Sequence, residues 1–126
     1  MAKSSPQWSK RPDPDDYKAA LNYLSLQFKQ STAESMVARA RRAPCVERTA
    51  KDLLRASNLP LLEVNEKHVA EDLKRIRKGK AISPVLVVQG DLAKGHPFVI
   101  ADGYHRICAA CYADEDAPVA VVLVPF

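Results

Sequence analysis

The chemistry in this chain concentrates in Ile100-Ala101-Asp102-Gly103-Tyr104-His105-Arg106. An apolar run enters a glycine and a helical pattern follows at once, so the spacing predicts a strand turning sharply into a helix. Such a turn leaves the first helical N–H groups unpaired, and these groups and the helix dipole favour an anion. Arg106, on the first turn, offers a planar fork of donors suited to phosphate oxygens. His105 can donate or accept a hydrogen bond, or move a proton. Asp102 can cap the helix, hold His105 or Arg106, bind a metal carried by a nucleotide, or act as a base. Tyr104 is placed to border the pocket. A plainer reading fits the same residues: Asp-Gly is a common turn, Asp102 caps the helix, and Arg106 pairs with Asp102.

Other residues offer lesser chemistry. Lys51 and Arg55 are spaced i, i+4, so they share one helix side. They make either a second arm of a phosphate site or a solvated face. Lys74, Arg75, Arg77, Lys78 and Lys80 gather at the end of a predicted helix. They suit the phosphates of a nucleic acid, and equally the helix C-terminus and solubility. Arg39, Arg41 and Arg42 carry the same two readings, and nucleic-acid binding gains if both clusters share one face. Cys108 and Cys111 have C-x-x-C spacing. A structural zinc site takes four ligands, so Cys45 and His105 would have to complete it. Small buried apolar cysteines fit better, and we assign no metal ligands.

These residues need elements to position them. Residues 1–16 are polar, with Pro6, Pro12 and Pro14, and read as an irregular arm in which Trp8 alone should dock back on the domain. Residues 15–57 read as helices. Tyr17, Ala20, Leu21, Leu24 and Phe28 follow an amphipathic stripe. Ser31 with Glu34 fits a capping box opening a second helix that stops before Pro44. A third carries Val46, Ala50, Leu53 and Leu54. Leu61–Val64 is a short apolar run readable as a strand. Asn65 can cap a helix bearing Val69, Leu73 and Ile76, with Gly79 after its end. Pro84–Val88 and Pro97–Ala101 read as a hairpin around Gly90–His96. Tyr104–Ala113 reads as a helix with Ile107, Cys108 and Cys111 inward, and Val119–Val124 as a buried closing strand.

Composition bounds the rest. The chain has 126 residues, 47% apolar and 27% charged, one globular domain's worth. No apolar run approaches the roughly 20 residues of a membrane helix. The first residues lack a signal-peptide core, so we expect a cytoplasmic protein with no membrane partner. Three cysteines argue against a disulfide framework. A formal charge of +4 permits a phosphate or nucleic-acid partner without demanding one.

Residues 59–124 resemble the ParB/sulfiredoxin-like superfamily, the family of ParB N-terminal and ParB-like nuclease domains. The resemblance is carried by Ile82-Ser83-Pro84-Val85-Leu86-Val87-Val88. It is carried further by Val99-Ile100-Ala101-Asp102-Gly103-Tyr104-His105-Arg106-Ile107-Cys108-Ala109-Ala110 and the closing apolar strand. It implies an α+β fold with a small mixed sheet. It also implies a nucleotide triphosphate with Mg²⁺ at the turn, held by Gly103, His105 and Arg106, with Asp102 a weaker addition. Departures from the family are visible. Tyr104 stands where sulfiredoxin has its catalytic Cys, so sulfinic-acid reduction by that route is not expected. The free-serine kinases of the fold use a catalytic Glu, for which only Glu63 and Glu66 offer themselves. The chain ends at Phe126, just past the closing strand, so centromere binding of the ParB kind is not expected.

The expectation is therefore an α+β protein. Residues 1–58 form an arm and helical extension packed as one unit with a ParB/sulfiredoxin-like domain at 59–126. It binds a nucleotide or other phosphate-bearing molecule as an NTPase or phosphotransferase. Asp102 and His105 are the catalytic candidates, and Gly103, Tyr104, His105, Arg106, Lys51 and Arg55 the phosphate-binding ones. The alternative is a nucleic-acid-binding module, a ParB-like nuclease or DNA-binding accessory protein, using Lys74, Arg75, Arg77 and Lys78.

Overall fold

The computed structural model describes residues 5–125. Its elements run β1 (Gln7–Trp8), α1 (Pro14–Gln27), α2 (Gln30–Arg42), β2 (Cys45–Thr49), α3 (Ala50–Ser57) and α4 (Lys67–Arg77). They continue through β3 (Ala81–Ile82), β4 (Val85–Val88), β5 (Val99–Asp102), α5 (Tyr104–Ala113) and β6 (Pro118–Val124).

Side-chain alternation sets the architecture. All four residues of β4 are buried. Val85 and Val87 enter one core, Leu86 and Val88 the other. In β6, Val119 and Val121 oppose Val122 and Val124 in the same way. Strands buried on both sides belong at a sheet's centre with helices on each face. The sheet runs β2-β6-β4-β5. β2 is antiparallel to β6, β6 parallel to β4, and β4 antiparallel to β5. β1 and β3 form a separate parallel pair. The fold is thus α+β, with five helices among the described residues.

α1 and α2 cover one face through Tyr17, Ala20, Leu24, Met36 and Val37. α3, α4 and α5 cover the other through Leu53, Val69, Leu73, Ile76 and Ile107. Residues 1–58 therefore supply a whole helical layer and the edge strand β2. The hairpin, α4, Gly79 after it, α5 and the closing strand lie where the spacing put them. Trp8 packs against the core of α3, α4 and α5, and its Nε1–H donates to the Pro118 carbonyl at 3.1 Å.

Four local expectations are corrected. Val46 lies in a strand rather than a helix: Cys45–Thr49 pairs residue for residue with Val122–Pro118, and the helix starts only at Ala50. Thr49 caps that helix, accepting from the Asp52 N–H at 3.3 Å. Leu61–Val64 is not a strand. The Leu62 carbonyl accepts from the Tyr112 hydroxyl and the Glu63 carbonyl from the Glu66 N–H, while the Tyr104 hydroxyl donates to the preceding Pro60 O. The Ser31–Glu34 box does not form, because α2 already begins at Gln30. A capping box does form on α1, between Asp13 and Asp16. Finally, Glu66 rather than Asn65 caps α4, accepting from the Val69 N–H at 2.9 Å.

Candidate functional site

β5 ends at Asp102 and α5 begins at Tyr104, leaving Gly103 to make the turn alone. Its φ is +107°, a left-handed value that favours glycine. Space demands glycine as well. A Cβ there would overlap the Val85 side chain and lie 3.0 Å from Arg106 Nη2. The first helical bond, Ile107 N–H to Gly103 O, is 3.0 Å. The N–H groups of Tyr104, His105 and Arg106 precede it and have no helical acceptor.

Arg106 folds back from α5 beneath this turn. Its Nη2 donates to Asp102 Oδ2 at 3.0 Å and to Pro84 O at 3.4 Å. Its Nη1 reaches Asp16 Oδ1 at 3.4 Å. The Arg106 side chain is only 16% exposed, Asp16 13% and Asp102 18%. Arg106 Nε is buried with no hydrogen-bond partner. Asp102 does not cap α5, since the N-cap is Gly103 and no side chain caps it. Of the roles open to Asp102, holding Arg106 is the one observed. Burial pushes the Asp102 carboxyl up to about 6, against the opposing pull of Arg106, and the neighbouring Asp16 adds to the rise. Asp16 has a second task, because its Oδ2 accepts from the Asp13 N–H at 2.9 Å and closes the α1 capping box.

Above Arg106 lies an open cleft of about 410 Å³. One wall is Asp102, Gly103, His105 and Arg106. The other is His68, Glu71, Asp72 and Arg75 of α4, which packs along α5. His105 Nε2 lies 3.8 Å from Glu66 Oε2, and His68 Nδ1 lies 3.9 Å from Glu71 Oε2. The Val69 N–H holds the Glu66 carboxyl below its ordinary range. Burial pushes Asp72 up, opposed first by Arg106 and then by Arg75, whose Nη1 is 4.0 Å away. The cleft thus mixes two arginines and two imidazoles with carboxylates. It can grip an anion and move protons beside it.

The expected residues separate cleanly. Asp102, Gly103, His105 and Arg106 come together in the cleft, as does Arg75 from the basic cluster. Tyr104 is not in its lining; the hydroxyl pins the 58–66 segment, and the ring stands 6.0 Å from that of His105. Lys51 and Arg55 are also outside it. Lys51 pairs with Asp116, and Arg55 with Asp52 at 3.4 Å. Lys74, Arg77 and Lys78 are exposed at the end of α4. Arg39 donates to Pro125 O, and Arg41 lies 4.5 Å over the Tyr17 ring. Because α2 and α4 pack on opposite sheet faces, the two basic clusters do not share one. Cys45 packs with the α1–α2 core and Cys108 with the other, so they do not meet. Among the described residues, no three His, Cys, Asp or Glu side chains group as a metal site.

His68, Glu71 and Asp72 were not singled out from the sequence. The signal was present: His68, Glu71, Asp72 and Arg75 stand at i, i+3, i+4 and i+7, one stripe of α4. No protein-family model, curated protein or solved structure matches the chain. Among the described residues, no helix is long and apolar enough to cross a membrane.

Proposed function

We propose that the chain binds a phosphate-bearing molecule, in the first instance a nucleotide, in the cleft between α4 and α5. On this reading the fold is of the ParB/sulfiredoxin type and the protein is an NTPase or phosphotransferase. The observation that carries it is Arg106: a nearly buried guanidinium, fixed by Asp102, Pro84 and Asp16 against the Gly103 turn, from which the first N–H groups of α5 emerge without helical acceptors. A preorganised donor set of this kind stabilises phosphoryl charge without reorganising. Arg75 supplies a second positive charge from the facing wall, and His105 a donor at the rim.

Asp102 and Asp72 offer the oxygen ligands that Mg²⁺ takes, and Mg²⁺ with a nucleotide needs only one or two protein carboxylates. The residues therefore fit a metal–triphosphate, with Asp72 the carboxylate that can bind the metal while Asp102 keeps Arg106 in place. The metal would supply charge neutralisation at the phosphates. Asp102, with its raised pKa, is poised to take a proton near neutral pH.

Melting curves with ATP, CTP, GTP and ADP, with and without Mg²⁺, test this. A ligand at a hundred times its Kd adds about 2.7 kcal/mol to the folded state. Arg106→Ala should abolish the rise. Arg75→Ala, at an exposed position, should reduce it without a folding cost. No rise with any nucleotide sinks the reading.

One observation favours a second reading, nucleic-acid binding: Arg75 lines the cleft, and Lys74, Arg77 and Lys78 are exposed at the same end of α4. It predicts affinity that falls steeply with salt.

A further inference from the structure

The cleft holds two imidazoles in acid–base proximity. The rings of His68 and His105 have centroids 5.0 Å apart, tilted by 57°. Each faces its own glutamate through one nitrogen, His105 through Nε2 and His68 through Nδ1. The opposite nitrogens, His105 Nδ1 and His68 Nε2, carry no hydrogen bond among the described residues. Both side chains are accessible, at 44% and 59% exposure. Arg75 and Arg106 flank them, with Asp72 and Asp102 below and Tyr104 beside His105.

From this arrangement we infer that the cleft cleaves ribonucleotide phosphodiesters by transesterification, with His105 as base and His68 as acid. Glu66 is fixed by the Val69 N–H at 2.9 Å. It therefore orients the His105 Nε2–H and leaves Nδ1 to receive a proton. Glu71 faces His68 Nδ1 at 3.9 Å and leaves Nε2 to give a proton, so His68 takes the acid role. His105 Nδ1 takes the proton of the 2′-hydroxyl while the 2′ oxygen forms its bond to phosphorus. The bond from phosphorus to the 5′ oxygen breaks, and His68 Nε2–H gives that oxygen its proton. The products are a 2′,3′-cyclic phosphate and a 5′-hydroxyl, and solvent exchange restores both imidazoles.

Two features select this substrate class. A neighbouring 2′-hydroxyl attacks at a high effective molarity, so a pair of proton carriers and two arginines suffice. A diester carries one negative charge per phosphate, which suits a cleft whose arginines already face carboxylates. Lys78, three residues after Arg75 and so on its side of α4, adds one exposed cation beyond the cleft.

This inference rests on the phosphate-binding reading, and its test separates the two. The full chain is given a fluorogenic oligodeoxynucleotide containing a single ribonucleotide, and its binding to an all-deoxy twin is measured by fluorescence anisotropy. The expected result is binding of both, and cleavage only at the ribonucleotide, ending in a cyclic phosphate. The rate should follow a bell-shaped pH profile. His68→Ala and His105→Ala, checked for unchanged melting, should each lower kcat by about 10²–10⁴-fold. The residual activity of His68→Ala should lose its alkaline limb. Binding without cleavage overturns the acid–base proposal and leaves the phosphate site standing. Binding of neither oligonucleotide overturns the proposed substrate. Cleavage that survives both histidine substitutions places the activity elsewhere and overturns the proposal too.

Discussion

Two carboxylates and one guanidinium make Asp16, Asp102 and Arg106 an unbalanced cluster when all three are charged. The folded protein holds a proton on Asp102 more tightly than the unfolded chain, because its pKa rises from 3.8 to about 6. This contribution to stability is complete below the unfolded pKa and is lost as pH rises through the folded one. Unfolding free energy should therefore gain from this group as pH falls from above 6 toward 4, by on the order of 2 kcal/mol, read as a rise in melting temperature. Asp102→Asn should flatten that stretch of a melting-versus-pH curve. Gly103 makes a sharper prediction. Gly103→Ala must hold a left-handed φ and overlap Val85, so it should destabilise by about 2–4 kcal/mol in urea titration. Adding Val85→Ala should recover only part of the overlap, because the Cβ kept at position 85 would still lie 2.7 Å from the new methyl. The turn at Gly103, with His105 and Arg106 on the helix after it, was legible, since a lone glycine between strand and helix has a clear reading. That Arg106 also reaches Asp16 was not: 90 residues separate them, and only the packed layers bring them together.

Elements set the second scale. α4 was legible as an amphipathic helix from Val69, Leu73 and Ile76, but attention to its apolar stripe hid the polar one facing the cleft. β2 was misread because Val46, Ala50 and Leu53 also satisfy helical spacing. What decides Cys45–Thr49 is ladder pairing with β6, a long-range contact that no local period carries. The run at Leu61–Val64 failed in the opposite sense, since its backbone is tethered by tyrosines of α5 rather than by a neighbouring strand. Replacing both Tyr104 and Tyr112 with Phe removes those tethers. It should cost about 1 kcal/mol per bond and raise proteolytic cutting within residues 58–66, with the cut site read by mass spectrometry. Unchanged cutting would mean that the phenols do not hold the segment.

At the scale of the whole molecule, the sheet is buried on both faces, by α1 and α2 on one and by α3, α4 and α5 on the other. The apolar runs Pro84–Val88 and Val119–Val124 announced strands, the second of them buried, and strands read beside helices agree with the α+β class. The division of helices between faces did not, because apolar stripes say that a helix packs and not where. A fragment of residues 59–126 would lack β2, α3 and the entire α1–α2 layer, exposing Leu86, Val88, Val122 and Val124. Each such side chain is worth about 1.5–3 kcal/mol when buried, against a total stability of about 5–15 kcal/mol for a domain. The fragment should show no cooperative melting by circular dichroism.

The central claim is that the α4–α5 cleft receives phosphate. The most direct test follows backbone amide shifts in ¹⁵N-labelled protein as the best-stabilising nucleotide is added. The account predicts saturable shifts concentrated at Gly103–Arg106 and at His68–Arg75, lost in Arg106→Ala. Shifts centred on α2 or on Lys51 and Arg55, or none at saturating nucleotide, would contradict it.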